Sequence, residues 1–252
     1  MYRRKFLAAS VSAGAVAVAG CIGGSGGGAN DGGDGAEGGG SGATPNATRT
    51  ETETESSGGG RTLGSHPAAT GIDEQPTLGP AAGEATGTIV AFEDPSCPRC
   101  KRFEQEVFPK IRSNLVDSGE VSYVFRGYPV VYDWGEPAAA VLEATYARDG
   151  ETFWSMLAHY FENQSEFGRA SDSIYEKSRT YLAENTDLDA GAVVADAESG
   201  AVDDAVRTDL DAGKAAGAGR TTPHVFLFRD GNYLTKAQGT VSYEIIASSL
   251  DL

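Results

Sequence analysis

The sequence predicts an α/β domain in the order βαβ, helical insertion, ββα. Three observations predict it. Thr88–Phe92 and Val121–Phe125 are short runs of β-branched and aromatic residues separated by an amphipathic stretch, so they read as two strands joined by a helix. About 90 residues of helical character follow. A second pair of runs, His224–Phe228 and Tyr233 onward, is joined by Asp230-Gly231, a strong hairpin signal.

Taken in order, residues 1–21 read as an export signal: Arg3-Arg4-Lys5 supply a positive head, a small apolar run follows, and Gly20-Cys21 end it. Arg3-Arg4-Lys5-Phe6-Leu7 resembles a twin-arginine signal. Val18-Ala19-Gly20-Cys21 resembles a lipobox, in which Cys21 becomes the lipid-bearing first residue of the mature chain. The apolar run is short for a ~30 Å hydrocarbon core, and an uncleaved membrane anchor is the alternative. Both readings place the domain outside the cytoplasmic membrane. Residues 22–75 are rich in Gly, Ser, Thr and acids, with almost no large apolar side chain before Leu63, so they are expected to form a disordered tether. Asn46-Ala47-Thr48 and Asn163-Gln164-Ser165 match the N-glycosylation acceptor pattern, at a frequency near chance.

The folded domain is expected over 76–252, with the helical insertion at about 130–216. Pro98 opens the first helix, where its missing N–H has no partner to lose, and Phe103, Val107, Ile111 and Leu115 recur every four residues along it. Gly119 is a plausible stop. The strand–helix–strand unit implies parallel pairing through a right-handed crossover. Further helices are expected at 138–148, around Phe153–Tyr160, at 171–184 and at 190–212, and a last one at 242–250.

Composition narrows the function. With 36 Asp+Glu against 20 Lys+Arg, the net charge is −16, which repels phosphate backbones and excludes nucleic acid as a natural partner. Three cysteines exclude a disulfide-stapled miniprotein. Arg outnumbers Lys by 14 to 6, a skew that with the acidity resembles proteins of salt-loving archaea; a merely acidic protein has the same signature.

The chemistry is concentrated in Cys97-Pro98-Arg99-Cys100. At a helix start the first sulfur lies beside unpaired N–H groups and the positive end of the helix dipole, which favour thiolate over thiol. The second sulfur lies one turn on, within reach of a disulfide with the first. Cys97 is therefore expected to be the exposed nucleophile and Cys100 the shielded partner, with Pro98 and Arg99 modulating the pair. A zinc knuckle needs a second ligand pair, and His66, His159 and His224 do not provide one. A purely structural disulfide is the other alternative.

Phe92-Glu93-Asp94-Pro95-Ser96 ahead of that quartet, Arg126-Gly127-Tyr128-Pro129, Gly150–Trp154, and Thr222-Pro223 ahead of Val225-Phe226-Leu227 together resemble the DsbA-like branch of the thioredoxin superfamily. The resemblance covers roughly 76–252. It implies a thioredoxin fold, an exported thiol–disulfide oxidoreductase without organic cofactor, Pro223 as a cis-proline, and Pro223 with Thr222 as the clamp on substrate. It also implies substrate proteins bearing thiols or disulfides, and a membrane redox partner that recycles the enzyme. Many members carry a buried acid six residues before the first cysteine, where this chain has Ala91. Strand alternation puts Glu93 on the same face, so Glu93 is the candidate proton carrier, while Asp94 is a candidate cap for the following turn. The rival classes are an extracytoplasmic binding lipoprotein that keeps the disulfide as a staple, and a reductase that passes electrons to a surface partner.

Overall fold

The computed structural model describes residues 61–169 and 173–252. The expectations for Arg3-Arg4, Cys21, Asn46 and most of the tether lie outside the described residues. Five strands form one mixed sheet in the order β1-β3-β2-β4-β5: β1 Thr77–Leu78, β2 Gly87–Glu93, β3 Val121–Gly127, β4 His224–Arg229 and β5 Asn232–Gln238. β2 pairs parallel with β3, in register Ala91 to Phe125, and antiparallel with β4, which pairs antiparallel with β5. The predicted βαβ and hairpin halves therefore meet at β2 and β4. Asp230 and Gly231 both take positive φ, 49° and 71°, the twist that a two-residue hairpin demands.

Between β2 and β3 run α1 Pro98–Glu106 and α2 Phe108–Ile111, then one π turn at Arg112–Val116. The periodic stripe Phe103, Val107, Ile111 and Leu115 is buried as expected. The helix is not continuous, because Pro109 cannot donate within it. The insertion comprises α3 Gly135–Tyr146, α4 Gly150–Glu162, α5 Gln164–Phe167, α6 Ile174–Asn185, α7 Ala190–Ser199 and α8 Asp203–Ala215. The single helix expected over 190–212 is two, split at Gly200, whose left-handed φ of 78° caps α7. α9 Tyr243–Leu250 closes the domain, with the Ser242 hydroxyl accepting from Ile245 N.

The sheet divides two apolar layers. Ile89, Ala91, Tyr123, Phe125, Val225 and Leu227 pack on one face with α1, α2, α9 and much of the insertion. Val90, Phe92, Val124, Phe226 and Phe228 pack on the other with Leu63, Ala68, Ala69 and Ala212. Residues 61–75, assigned to the tether from composition, are thus part of the domain. They form three 3₁₀ turns, Leu63–Ser65, Pro67–Ala69 and Ile72–Glu74, and bridge β5 at Thr62 and Asn232. Their few apolar side chains find a ready surface, with His66 stacked on Tyr233 at 4.5 Å.

A buried ion pair fastens this segment. Arg126 on β3 bonds Asp209 on α8 at 2.7 Å and donates to the carbonyls of Ala68 and Thr70. Asp209 also accepts from Gly127 N at 2.8 Å. Removing one partner strands the other charge, so Asp209→Asn is expected to cost about 3–5 kcal/mol in denaturant unfolding. Beside the pair, burial and the Asp209 charge push Glu143 up to about 8, partly opposed by Arg126. The unfolded chain releases this proton near 4.5, so between those values the fold binds more protons and loses stability as pH rises. Glu143→Gln is expected to flatten the fall in unfolding midpoint across that window.

Candidate active site

The site is built where β2 ends and α1 begins. Cys97 is the N-cap of α1, with extended φ and ψ of −79° and 123°, and Pro98 occupies the first helical position. Such a residue directs its side chain along the helix start, toward N–H groups that have no intrahelical partner. Here Cys97 Sγ lies 3.5 Å from the Thr222 carbonyl, to which its thiol donates. Thr222 precedes Pro223 through a cis peptide bond, as the resemblance implied. Cys100 sits one turn along, and its Sγ accepts from Asp94 N at 3.5 Å. Both cysteines are free thiols.

Their electrostatics differ. The Cys100 thiol, as donor, holds Cys97 down to about 6, against the upward push of burial; the Thr222 side chain and the backbone N–H groups of Cys100 and Arg99 add to the lowering. Burial first, and the donation to Cys97 second, push Cys100 well above the ordinary thiol range. Thr222 Oγ1 is buried without a partner beside a thiol, which leaves its hydrogen for a thiolate at Cys97.

Exposure departs from expectation. Cys97 is only 1% exposed and Cys100 0%, so neither sulfur is open to solvent. The N-cap geometry turns Cys97 under the Thr222-Pro223 loop, and what stands outside is Pro98 and Arg99. Arg99 acts on Cys97 through its backbone N–H; its side chain lines a small groove with Arg102, Glu106 and Thr240.

Glu93 lies on the predicted face of β2, fully buried, with Oε1 accepting from the Tyr123 hydroxyl at 2.8 Å and Oε2 unpartnered. Burial, then the charge of Glu104, raise it well above the carboxylate range. Glu104, four residues beyond Cys100 on α1, is pushed up to about 7 by burial, and its Oε1 lies 3.4 Å from the same hydroxyl. These two carboxyls and the phenol form a proton-holding group behind Cys100, whose thiol feels the Glu93 charge. Sequence reading missed Glu104 and Tyr123. The signal for Glu104 was its i+4 spacing from Cys100 on a helix whose buried stripe was otherwise apolar.

Asp94 caps the turn as anticipated and does more. Oδ1 accepts from Ser96 N and its hydroxyl, and Oδ2 from Val130 N and Val131 N. Gly135 is required beside it: a Cβ there would stand 2.6 Å from Asp94 Oδ1. Gln164, noticed only as the middle of a glycosylation match, donates to the carbonyls of Pro95 and Cys97. Among the described residues no group of three or more His, Cys, Asp and Glu is placed to hold a metal ion.

A family model described as thioredoxin matches residues 74–240. Disulfide bond formation protein D of Bacillus subtilis is 34% identical over 95 residues, covering 38% of this chain and 42% of that protein. Probable disulfide bond formation protein D of Bacillus cereus is 29% identical over 83 residues, covering 33% and 38%. The matches thus span about two-fifths of the length of these relatives. Among solved structures, BdbD from Bacillus subtilis superposes with a TM-score of 0.61 at 22% identity, over 71% of this chain and 92% of that one. DsbA of Chlamydia trachomatis gives 0.58 at 22% identity, over 70% and 90%. These likenesses show the fold.

The Thr222 hydroxyl is testable on its own. Thr222→Val is expected to raise the Cys97 pKa from about 6 by at least about half a unit, read as thiolate absorbance against pH. Arg99→Gln is expected to leave it within about 0.3 unit at molar salt, where the Debye length is about 3 Å.

Proposed function

Since the chain belongs to the thioredoxin family, as a match over two-thirds of its length shows, we propose that it is a protein-disulfide oxidoreductase that works mainly as an oxidant of substrate thiols. The observation that carries this reading is the asymmetry of the pair: Cys97 is held as a thiolate near neutral pH and Cys100 is kept protonated behind it. Stabilising the reduced form of a pair makes its disulfide more oxidising. The names of the Bacillus relatives, disulfide bond formation protein D, accord with it.

In the oxidised protein, a substrate thiolate attacks Cys97 Sγ. The Cys97–Cys100 bond breaks, a mixed disulfide forms, and the electron pair leaves on Cys100. Cys100 is a poor leaving group unless protonated, and that proton is assigned to Glu93, whose carboxyl burial raises and whose Oε1 accepts from Tyr123. A second substrate thiolate then attacks the substrate sulfur, forming the substrate disulfide and expelling Cys97 as the thiolate that its donors stabilise. The substrate loses two electrons, which the pair gains. Of the two protons its thiols give up, one restores Glu93 after it has protonated Cys100 and the other passes to solvent, since Cys97 leaves as the thiolate. Because Cys97 is covered, the Thr222-Pro223 loop and the exposed Pro98–Arg99 rim must part locally to admit substrate, and backbone pairing at Thr222 then replaces the contact that Cys97 makes with that carbonyl.

Location and recycling belong to the same proposal. The Arg3–Leu7 and Cys21 patterns support export and lipid anchoring at the outer face of the cytoplasmic membrane, with a membrane redox partner to reoxidise Cys97 and Cys100. No helix among the described residues is long and apolar enough to cross a membrane.

The test is oxidation of a reduced, unfolded protein by the oxidised domain, followed by counting substrate thiols. Cys97→Ser is expected to abolish it. Cys100→Ser, which cannot form the Cys97–Cys100 disulfide, is expected to attack the disulfide form of the substrate instead and to accumulate a mixed disulfide through Cys97, seen on non-reducing gels. Glu93→Gln is expected to slow turnover by about 10²-fold or more, in the range of lost acid–base assistance, with the slowing full where the raised Glu93 carboxyl holds its proton and fading as pH rises through its pKa. Full thiol retention by the substrate with wild-type protein would reject the oxidant reading in favour of a binding module with a stapling disulfide.

A further inference from the structure

We propose that Gln164 is a positioning residue for Cys97: a side chain of the helical insertion that fixes the cysteine-bearing loop by donating both of its amide hydrogens to that loop's carbonyls. The proposal rests on the reading of Cys97 as the reacting sulfur.

Gln164 Nε2 lies 2.7 Å from Pro95 O and 2.9 Å from Cys97 O. Both neighbours only accept, so the nitrogen must face them, and its two hydrogens account for the two bonds. Two carbonyls separated by one residue, held from one nitrogen, constrain the backbone of Ser96 and Cys97 between them. Cys97 O already accepts from Lys101 N at 3.0 Å, the first bond of α1, so Gln164 acts on the very peptide where loop becomes helix. That peptide sets the extended conformation of Cys97, and this in turn aims Sγ at Thr222 and places it ahead of the N–H groups of Arg99 and Cys100.

The insertion is arranged to present this amide. α4 stops at Asn163, whose φ and ψ of −106° and 21° leave the helix, and the Asn163 amide donates back to His159 O at 2.9 Å. The break turns Gln164 toward the loop at the start of α5. On the other side of the break, Glu162 O accepts from Lys101 Nζ at 3.0 Å, a second tie between the same junction and α1. Asp94 holds the loop from the side of β3 and α3; Gln164 holds it from the insertion.

The experiment is thiolate absorbance against pH on the reduced full chain, paired with the equilibrium of Cys97 and Cys100 against glutathione. Gln164→Met has a similar length, no charge and no donor. It is expected to raise the Cys97 pKa by at least about half a unit, a roughly threefold loss of thiolate below the pKa, and to shift the glutathione equilibrium toward protein disulfide by a similar factor. Gln164→Asn keeps the amide one carbon short and should shift both in the same direction by less. Tyr160→Phe, which loses the Tyr160–Ser178 bond inside the insertion, should lower Tm without moving either readout. A Gln164→Met protein that titrates like wild type, whatever its Tm, overturns the proposal, and so does an equal shift in Tyr160→Phe. If the wild-type cysteines never form a disulfide, the underlying functional reading fails instead, and the titration, which needs no disulfide, still decides the role of Gln164.

Discussion

The buried carboxylate of Asp94 accepts four hydrogen bonds, two from Ser96 within the β2–α1 loop and two from the backbone of Val130 and Val131 beyond it. The loop between a strand end and a helix start has no ladder of its own, so its shape must come from such side-chain contacts. Fixing Ser96 fixes Cys97 as the N-cap, and fixing 130–131 fixes the entry to the insertion. Gly135 is glycine because the carboxylate occupies the place its Cβ would take. Burial raises the Asp94 carboxyl while these four donors oppose it. The carboxylate is retained there because each of its oxygens is doubly satisfied.

From that anchored loop the two sulfurs diverge. Cys97 and Cys100 are one helical turn apart and both are buried, so exposure does not distinguish them. Their surroundings do. Cys97 is approached by a thiol, a hydroxyl and backbone N–H groups, all donors, whereas Cys100 is more deeply buried, spends its hydrogen on Cys97 and has the Glu93 carboxyl near it. One sulfur is stabilised as an anion and the other as a neutral thiol. The same difference makes Cys97 the better group to expel and Cys100 the one that needs a proton, so attack, resolution and proton supply follow from one gradient of donors to acids across α1.

The main strands, the first helix, the hairpin and the cysteine motif were legible because each has a local signal: β-branched runs, a four-residue stripe, Asp-Gly, and proline after cysteine. What was not legible depends on partners distant in sequence. β1 is two residues long and exists by pairing with β3 at Thr77 and Leu78. Residues 61–75 look like linker until the second face of the sheet, and the Arg126–Asp209 pair, give them something to pack on. Glu93 was readable from strand alternation, but its proton-holding partner Glu104 needed the helix laid over the strand. Gln164 lies 67 residues from Cys97, and nothing local marks a glutamine at a helix break as a hydrogen-bond donor to a loop.

Charge and contact act on different scales in this molecule. A net charge of −16 is a long-range field, and at low ionic strength it opposes one more negative charge at Cys97. The groups that lower the Cys97 pKa are neutral donors at contact distance, not the guanidinium of Arg99, which is exposed. Salt therefore removes the opposition and leaves the support, because screening weakens interactions beyond a Debye length and hardly touches a buried hydrogen bond. An acidic surface of this kind and a thiolate stabilised by backbone, hydroxyl and thiol donors are compatible in a way that a thiolate dependent on surface arginines would not be. The site takes its poise from the fold beneath it, and the surface is free to answer to the solvent.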